Sequence, residues 1–152
     1  MPFPSASAFG RGFRLEIGRG DGPPETFDPF AEVRDFDELW PQTRNFENVT
    51  SQDTPGGTEA WKPAVLQTGE MTFECNFLPS HPTHDPASGA RADLLNGTRR
   101  NFRAIYPPPY QDRRAEFSAY VARFPVAIPV DGVMRGRITL RLDGPMTEVP
   151  NL

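Results

Sequence analysis

The sequence predicts a mainly β fold, a β-sandwich or partly closed barrel with one short flanking α-helix. Three observations predict it. Eighteen prolines and thirteen glycines in 152 residues interrupt long helices and suit many short strands joined by turns. Several segments alternate apolar and polar side chains with the two-residue period of a half-buried strand. A helical stretch with both a start and a stop signal occurs once, just before Gly97. A chain of this length supports one core. The expected organisation is an extended N-terminal arm over 1–12, a single β domain over 13–145 with a long loop at 41–62, and a C-terminal tail over 146–152.

The elements follow in order. Residues 1–10 are small and proline-punctuated, and Phe3 and Phe9 need a surface to lie against. Phe13 to Ile17 alternates as a strand, and Gly18 to Pro24 is a turn of Gly, Asp and Pro. Phe27 to Phe36 is expected as a second strand, with Ala31 and Val33 facing one way and Glu32 and Arg34 the other. The segment 41–62 lacks alternation and is rich in Asn, Thr, Ser, Gly and Pro. A loop of that length usually carries function or disorder. Trp40, Phe46 and Trp61 lie in or beside it, so a partner is expected to order it.

Met71 to Phe77 is the cleanest strand. Met71, Phe73, Cys75 and Phe77 share one face, and Thr72, Glu74 and Asn76 share the other. Asp85-Pro86 reads as a helix start, and the helix runs through Ala90, Leu94 and Leu95 to a stop at Gly97. Asn101 to Tyr106 is a strand ended by Pro107-Pro108-Pro109. Phe117 to Val126 is a strand apolar on both faces in places, and Val133 to Leu142 is the last.

Composition excludes several classes. With 37% hydrophobic and 24% charged residues the chain reads as globular and soluble. It has no apolar run of transmembrane length, and Met1 to Ala6 has no signal-peptide pattern. The single cysteine, Cys75, excludes an intrachain disulfide framework. Net charge is -4, and residues 1–60 carry eleven acidic and five basic side chains. Neither half has the dense basic stripe of a protein that grips nucleic acid. Of the sixteen basic residues only Lys62 is not arginine, and arginine is the better partner for interface ion pairs.

No catalytic, cofactor or metal constellation emerges. His81 and His84 sit in a His-x-x-His-Asp cluster, but no third ligand follows at zinc spacing. Cys75 lies on the apolar side of its strand, which makes it core filler and not a nucleophile. Gly18 to Gly22 lacks the helix, lysine and hydroxyl of a phosphate loop. Arg19-Gly20-Asp21 is a tripeptide too short to carry meaning. The pairs Arg99-Arg100 and Arg113-Arg114 read as subunit ion pairs or a solvated face.

The order of segments resembles the tail tube proteins of lambda-like siphophages. The matching pieces are Phe13 to Ile17; Gly20-Asp21-Gly22 through Phe27 to Val33; Gly69 to Pro79; His84; Leu94 to Thr98; Arg100 to Pro107; Phe117 to Phe124; Pro129-Val130-Asp131; and Gly144-Pro145. They cover nearly the whole chain in order. The enlarged loop at Pro107 to Tyr110 and the stretch Ala87-Ser88-Gly89 depart from the pattern. The resemblance implies a structural virion protein that polymerises as stacked, hexameric rings into a tube that conducts DNA. It implies no enzyme activity and no cofactor. Its implied partners are copies of itself, tail tip or baseplate proteins, a tail terminator and a tape measure protein. DNA would pass without specific binding, no membrane would be involved, and the protein would reside in the virion tail after assembly in the host cytoplasm.

On that reading Phe3, Phe9, Trp40, Phe46, Trp61, Arg113 and Arg114 are the expected contacts between subunits or rings, and Glu32 and Glu74 the expected lumen-facing residues. Two other readings stay open. A tail terminator or head–tail joining protein would form a single ring. A carbohydrate- or peptide-binding β-sandwich module would use Trp40 and Trp61 as ligand platforms.

Overall fold

The computed structural model describes residues 10–151. The strands are β1 (Arg14–Gly18), β2 (Phe27–Pro29), β3 (Val33–Phe36), β4 (Thr43–Asn48), β5 (Trp61–Gln67), β6 (Glu70–Asn76), β7 (Arg100–Ile105), β8 (Arg113–Arg123), β9 (Val126–Ala127), β10 (Arg135–Leu142) and β11 (Thr147–Pro150). One α-helix, α1, spans Ala90–Asn96. The fold is thus mainly β with one short helix.

Nine strands form one antiparallel sheet in the order β2-β1-β7-β8-β10-β6-β3, with β9 beside β10 and β11 beside β8. The sheet is not closed into a barrel by strand pairing. It curls, because its two outermost strands are joined by only Phe30, Ala31 and Glu32. That link is stitched to both edges: Phe30 N–H donates to the Leu15 carbonyl at 2.8 Å, and Asn76 N–H donates to the Glu32 carbonyl at 3.1 Å. Phe13 and Phe36 then meet across the gap, with ring centroids 5.1 Å apart.

The core lies inside the curl. Leu15 and Ile17 enter from β1, Met71, Phe73 and Cys75 from β6, and Phe102 and Ala104 from β7. Ala115, Phe117, Ala119 and Val121 enter from β8, and Ile138, Leu140 and Leu142 from β10. Each set alternates with outward polar residues, as a sheet buried on one face requires. Burial raises the Cys75 thiol to about 11, so it is un-ionised at neutral pH and serves as packing.

The structure corrects four expectations. The continuous strand over 27–36 is broken at 30–32. Pro29 offers no N–H to a ladder, and Glu32 takes a φ of 51°; the break frees β2 and β3 to pair at opposite edges. The segment 41–62 is not a structureless loop. It holds β4, a 3-10 turn at Pro55–Gly57 and the start of β5, a two-stranded hairpin apart from the main sheet. The helix begins later than Pro86. Asp85 instead accepts the N–H groups of Ser88 at 2.7 Å and Gly89 at 3.0 Å, and these close a turn before the helix. Gly89 is the true N-cap, and Gly97 ends the helix in the left-handed region as expected. Finally, the segment 146–152 is more than a tail. Met146 is buried, and β11 extends the line of β10 along β8.

One glycine tests how the hairpin is rooted. Gly69, between β5 and β6, has a φ of +79°, and a Cβ there would lie 2.6 Å from the Pro41 carbonyl oxygen. Gly69→Ala is therefore expected to destabilise the subunit by about 1–3 kcal/mol, the range for a forced left-handed residue. Urea denaturation of the purified subunit measures it, and an unchanged midpoint would refute the rigid root.

Candidate assembly surfaces

Among the described residues no group of three or more His, Cys, Asp or Glu side chains is placed to hold a metal ion. No helix of the described residues is long and apolar enough to cross a membrane. What the structure builds instead is a set of distinct surfaces.

The β4–β5 hairpin is the first. Two-stranded hairpins are marginal alone in water, and this one turns apolar side chains outward. Phe46 is 58% exposed, Trp61 53% and Val65 72%. Phe46 stands opposite Pro63 in the ladder. Asn48 stands opposite Trp61, so Trp61, Pro63 and Phe46 share one side of the ribbon, and a register shift between Arg44 and Phe46 interrupts the alternation beyond them. Val49 and Leu66 add to the exposed apolar surface of the hairpin. Phe46 and Trp61, singled out from the sequence, are therefore brought together. Phe3 and Phe9 lie outside the described residues.

Trp40 is placed differently. It sits before the hairpin with a φ of 65°, unusual for a bulky residue. Its indole Nε1–H donates to Tyr106 Oη at 3.0 Å, and Tyr106 Oη–H donates to Glu148 Oε1 at 2.7 Å. Arg113 Nη1 closes the chain on Glu148 Oε2 at 3.1 Å. Tyr106 and Arg113 together hold the Glu148 carboxyl below its usual range. Trp40 and Arg113 thus brace the C-terminal strand within the subunit. Arg114 is likewise engaged inside the chain, with Glu116 and Asn151.

A second apolar surface was not singled out from the sequence. The connection from β9 to β10 exposes Ile128 at 71%, Val130 at 99% and Val133 at 58%. The signal was present, because three large aliphatic residues in a Pro/Asp/Gly turn cannot reach a core.

The outer face of the main sheet is polar. β10 presents Arg135, Arg137, Thr139 and Arg141, and β6 presents Glu70, Thr72, Glu74 and Asn76, each opposite its partner. Arg141 pairs with Glu70 at 3.1 Å, Arg137 with Asp37 at 2.6 Å and Arg135 with Glu74 at 3.9 Å. Glu74 therefore lies on the face expected from its strand. Glu32 does not share that strand geometry, since it occupies the link between the sheet edges. The Arg19-Gly20-Asp21 turn is consumed internally: Arg19 grips Asp28 at 2.6 Å, and Asp21 accepts the Thr26 N–H at 2.7 Å.

The histidine cluster is a structural fastener. His84 is fully buried. Its Nδ1 accepts the Leu78 N–H at 3.1 Å, so Nε2 carries the proton and donates to the Ala31 carbonyl at 3.2 Å. Phe30 and Phe77 pack on its ring. His84 thereby ties the link between the sheet edges to the loop before α1.

No protein-family model and no curated protein matches the chain. Solved structures match it at nearly full length. A chain in the structure of the SPP1 tail tube gives a TM-score of 0.68 at 11% identity, over 96% of this chain and 81% of that one. A chain of the anti-feeding prophage baseplate gives 0.67 at 12% identity, over 98% and 97%. A chain in the tail of an empty gene transfer agent particle gives 0.66 at 16% identity, over 93% and 98%. The fold is one that tail particles use. At such low identity the likeness is one of fold. The hairpin and the β9–β10 connection are apolar surfaces that the subunit alone leaves open.

Proposed function

We propose that the chain is a structural tail tube subunit, which self-associates into stacked hexameric rings and forms a conduit for DNA in the tail of a siphophage-like particle. The near full-length likeness to tail and baseplate chains carries the reading. The exposed apolar hairpin supports it, because a contiguous apolar surface on a soluble subunit marks an interaction site. Partners on this reading are further copies of the chain, tail tip or baseplate proteins, a terminator and a tape measure protein. The role is non-catalytic. The ordered motifs of lambda-like tail tube proteins favour a DNA-conducting tail.

Negative-stain microscopy and sedimentation of the purified subunit, with and without a tail tip complex, test the proposal. Tubes are expected when the tip is present. Single rings under both conditions would favour a terminator, and a strict monomer under both would overturn self-assembly. A variant sharpens the test. Trp61→Asp should leave the folded subunit within about 0.5 kcal/mol of wild type, as for most exposed sites. It should raise the concentration needed for tube growth roughly thirtyfold, the equivalent of about 2 kcal/mol lost at an interface anchor. Normal tube growth by Trp61→Asp would remove the hairpin from the contact.

A further inference from the structure

The outer face of β6 and β10 has a property that neither stability nor assembly explains. Arg135, Arg137 and Arg141 stand in one row on β10. Each has a carboxylate partner: Glu74 and Glu70 on the neighbouring strand β6, and Asp37 just after β3, beyond β6. All three arginine side chains are well exposed, at 46%, 57% and 66%. Exposed pairs of this kind contribute little to folding, at most about 1 kcal/mol each. Their effect on surface potential is larger, because each arginine left unpaired gains affinity for a phosphate backbone by releasing a condensed counterion.

Exposed large apolar side chains lie on the hairpin, with Phe46, Trp61 and Val65, on the β9–β10 connection, with Ile128, Val130 and Val133, on α1 with Leu95, and on β8 with Tyr120 opposite Arg141. On the strands β6 and β10 none is exposed. The β6 and β10 part of this face therefore offers no large apolar side chain for a subunit contact to bury.

We propose that Asp37, Glu70 and Glu74 screen the arginine row of β10, so that this face passes a nucleic-acid polyanion without holding it. The inference rests on the tail tube reading for its biological setting, but the screening is a property of the single subunit. It makes the wall neutral in pairs and not uniformly acidic. The arginines keep the carboxylates from building a strong negative potential, and the carboxylates keep the arginines from gripping phosphate.

The test uses the isolated full chain and a random-sequence double-stranded DNA oligonucleotide, followed by fluorescence anisotropy. Wild type is expected to show no saturable binding. The triple variant Asp37→Asn, Glu70→Gln, Glu74→Gln is expected to bind. With three arginines freed, its affinity should fall about 40-fold between about 50 mM and about 200 mM salt, from a slope of about −0.9 per phosphate contact. A control of equal charge change on other surfaces, Glu47→Gln, Asp53→Asn, Asp131→Asn, should remain without binding. Adding Arg135→Gln, Arg137→Gln and Arg141→Gln to the triple variant should abolish the gained binding, and circular dichroism verifies that every variant is folded. Wild-type binding equal to that of the triple variant, no binding by a folded triple variant, or equal binding by the control would each overturn the proposal. Tube formation is read separately by microscopy. Tubes without a DNA-binding gain sink the screening alone, whereas a DNA-binding gain in a chain that never assembles sinks the tube reading alone.

Discussion

Phe73→Ala will destabilise the isolated subunit by about 3–5 kcal/mol, the range for truncating a buried aromatic ring. Phe73 is completely buried. Its ring meets Phe30 edge-on at 5.3 Å and stacks on Phe36 at 5.6 Å. Those partners come from the link between the sheet edges and from the edge strand β3, so the loss falls where the curl of the sheet is fixed. For a single domain that is a large share of total stability. The outward neighbours should behave otherwise. Thr72→Ala removes one hydroxyl contact to Thr139 at 3.2 Å, with an expected effect of about 0.5–1.5 kcal/mol. Glu74→Ala loses only a long ion pair, to Arg135 at 3.9 Å, from a half-buried position. Chemical denaturation of the three variants checks the ranking. A Glu74→Ala effect as large as that of Phe73→Ala would place the strand one residue out of register.

Acid will weaken the subunit through His84 before Asp21, Asp28, Asp85 and Glu148 titrate. Burial holds the His84 imidazole down to about 4, against an ordinary value of 6.5. Below about pH 6.5 the unfolded chain binds a proton at this residue that the folded chain refuses until near pH 4. Stability from this group is therefore complete above about pH 6.5 and lost as pH falls towards 4, by up to about 3 kcal/mol. Asp21, Asp28, Asp85 and Glu148 are held below their ordinary values, so their contributions fall away at lower pH. His81 and Arg91 are the charged or titratable neighbours of His84, and both oppose its protonation. His84→Leu should flatten the dependence between pH 6.5 and 5. At pH 8 the same variant should be less stable than wild type by about 1–3 kcal/mol for each of the two backbone groups left without a partner, Leu78 N–H and the Ala31 carbonyl. Urea midpoints at pH 8, 6.5 and 5 measure both effects, and parallel pH profiles for the two proteins would refute this role for His84.

The same residues show what was legible beforehand and why. The strands expected over Met71 to Phe77 and Val133 to Leu142, found as Glu70–Asn76 and Arg135–Leu142, were legible because one face of each is buried in a continuous core, and burial on one face is what writes alternation into a sequence. Gly97 read correctly because a helix end in the left-handed region selects glycine on local grounds. The hairpin was read as a loop because neither face of β4 or β5 packs on the core, so no hydrophobic period marks them. Its aromatic residues were noticed as out of place in a solvated loop, and the structure gathers Phe46 and Trp61 on it. Trp40 was grouped with them by proximity along the chain, but its partner Tyr106 is distant in sequence. No local rule could have joined them.

Local chemistry alone determined the mainly β class, the single short helix and its stop, the inward set around Phe73, and the inert place of Cys75. Each follows from the side chains of one short segment. Tertiary structure alone decided the break at Phe30 to Glu32, the placing of β2 and β3 at opposite edges, the burial of His84 and the pairing of β11 with β8. It also decided that the arginines of β10 would face Asp37, Glu70 and Glu74. Those features depend on which distant segments meet, and the energy that selects them is shared across the curled sheet and not held by any one stretch of chain.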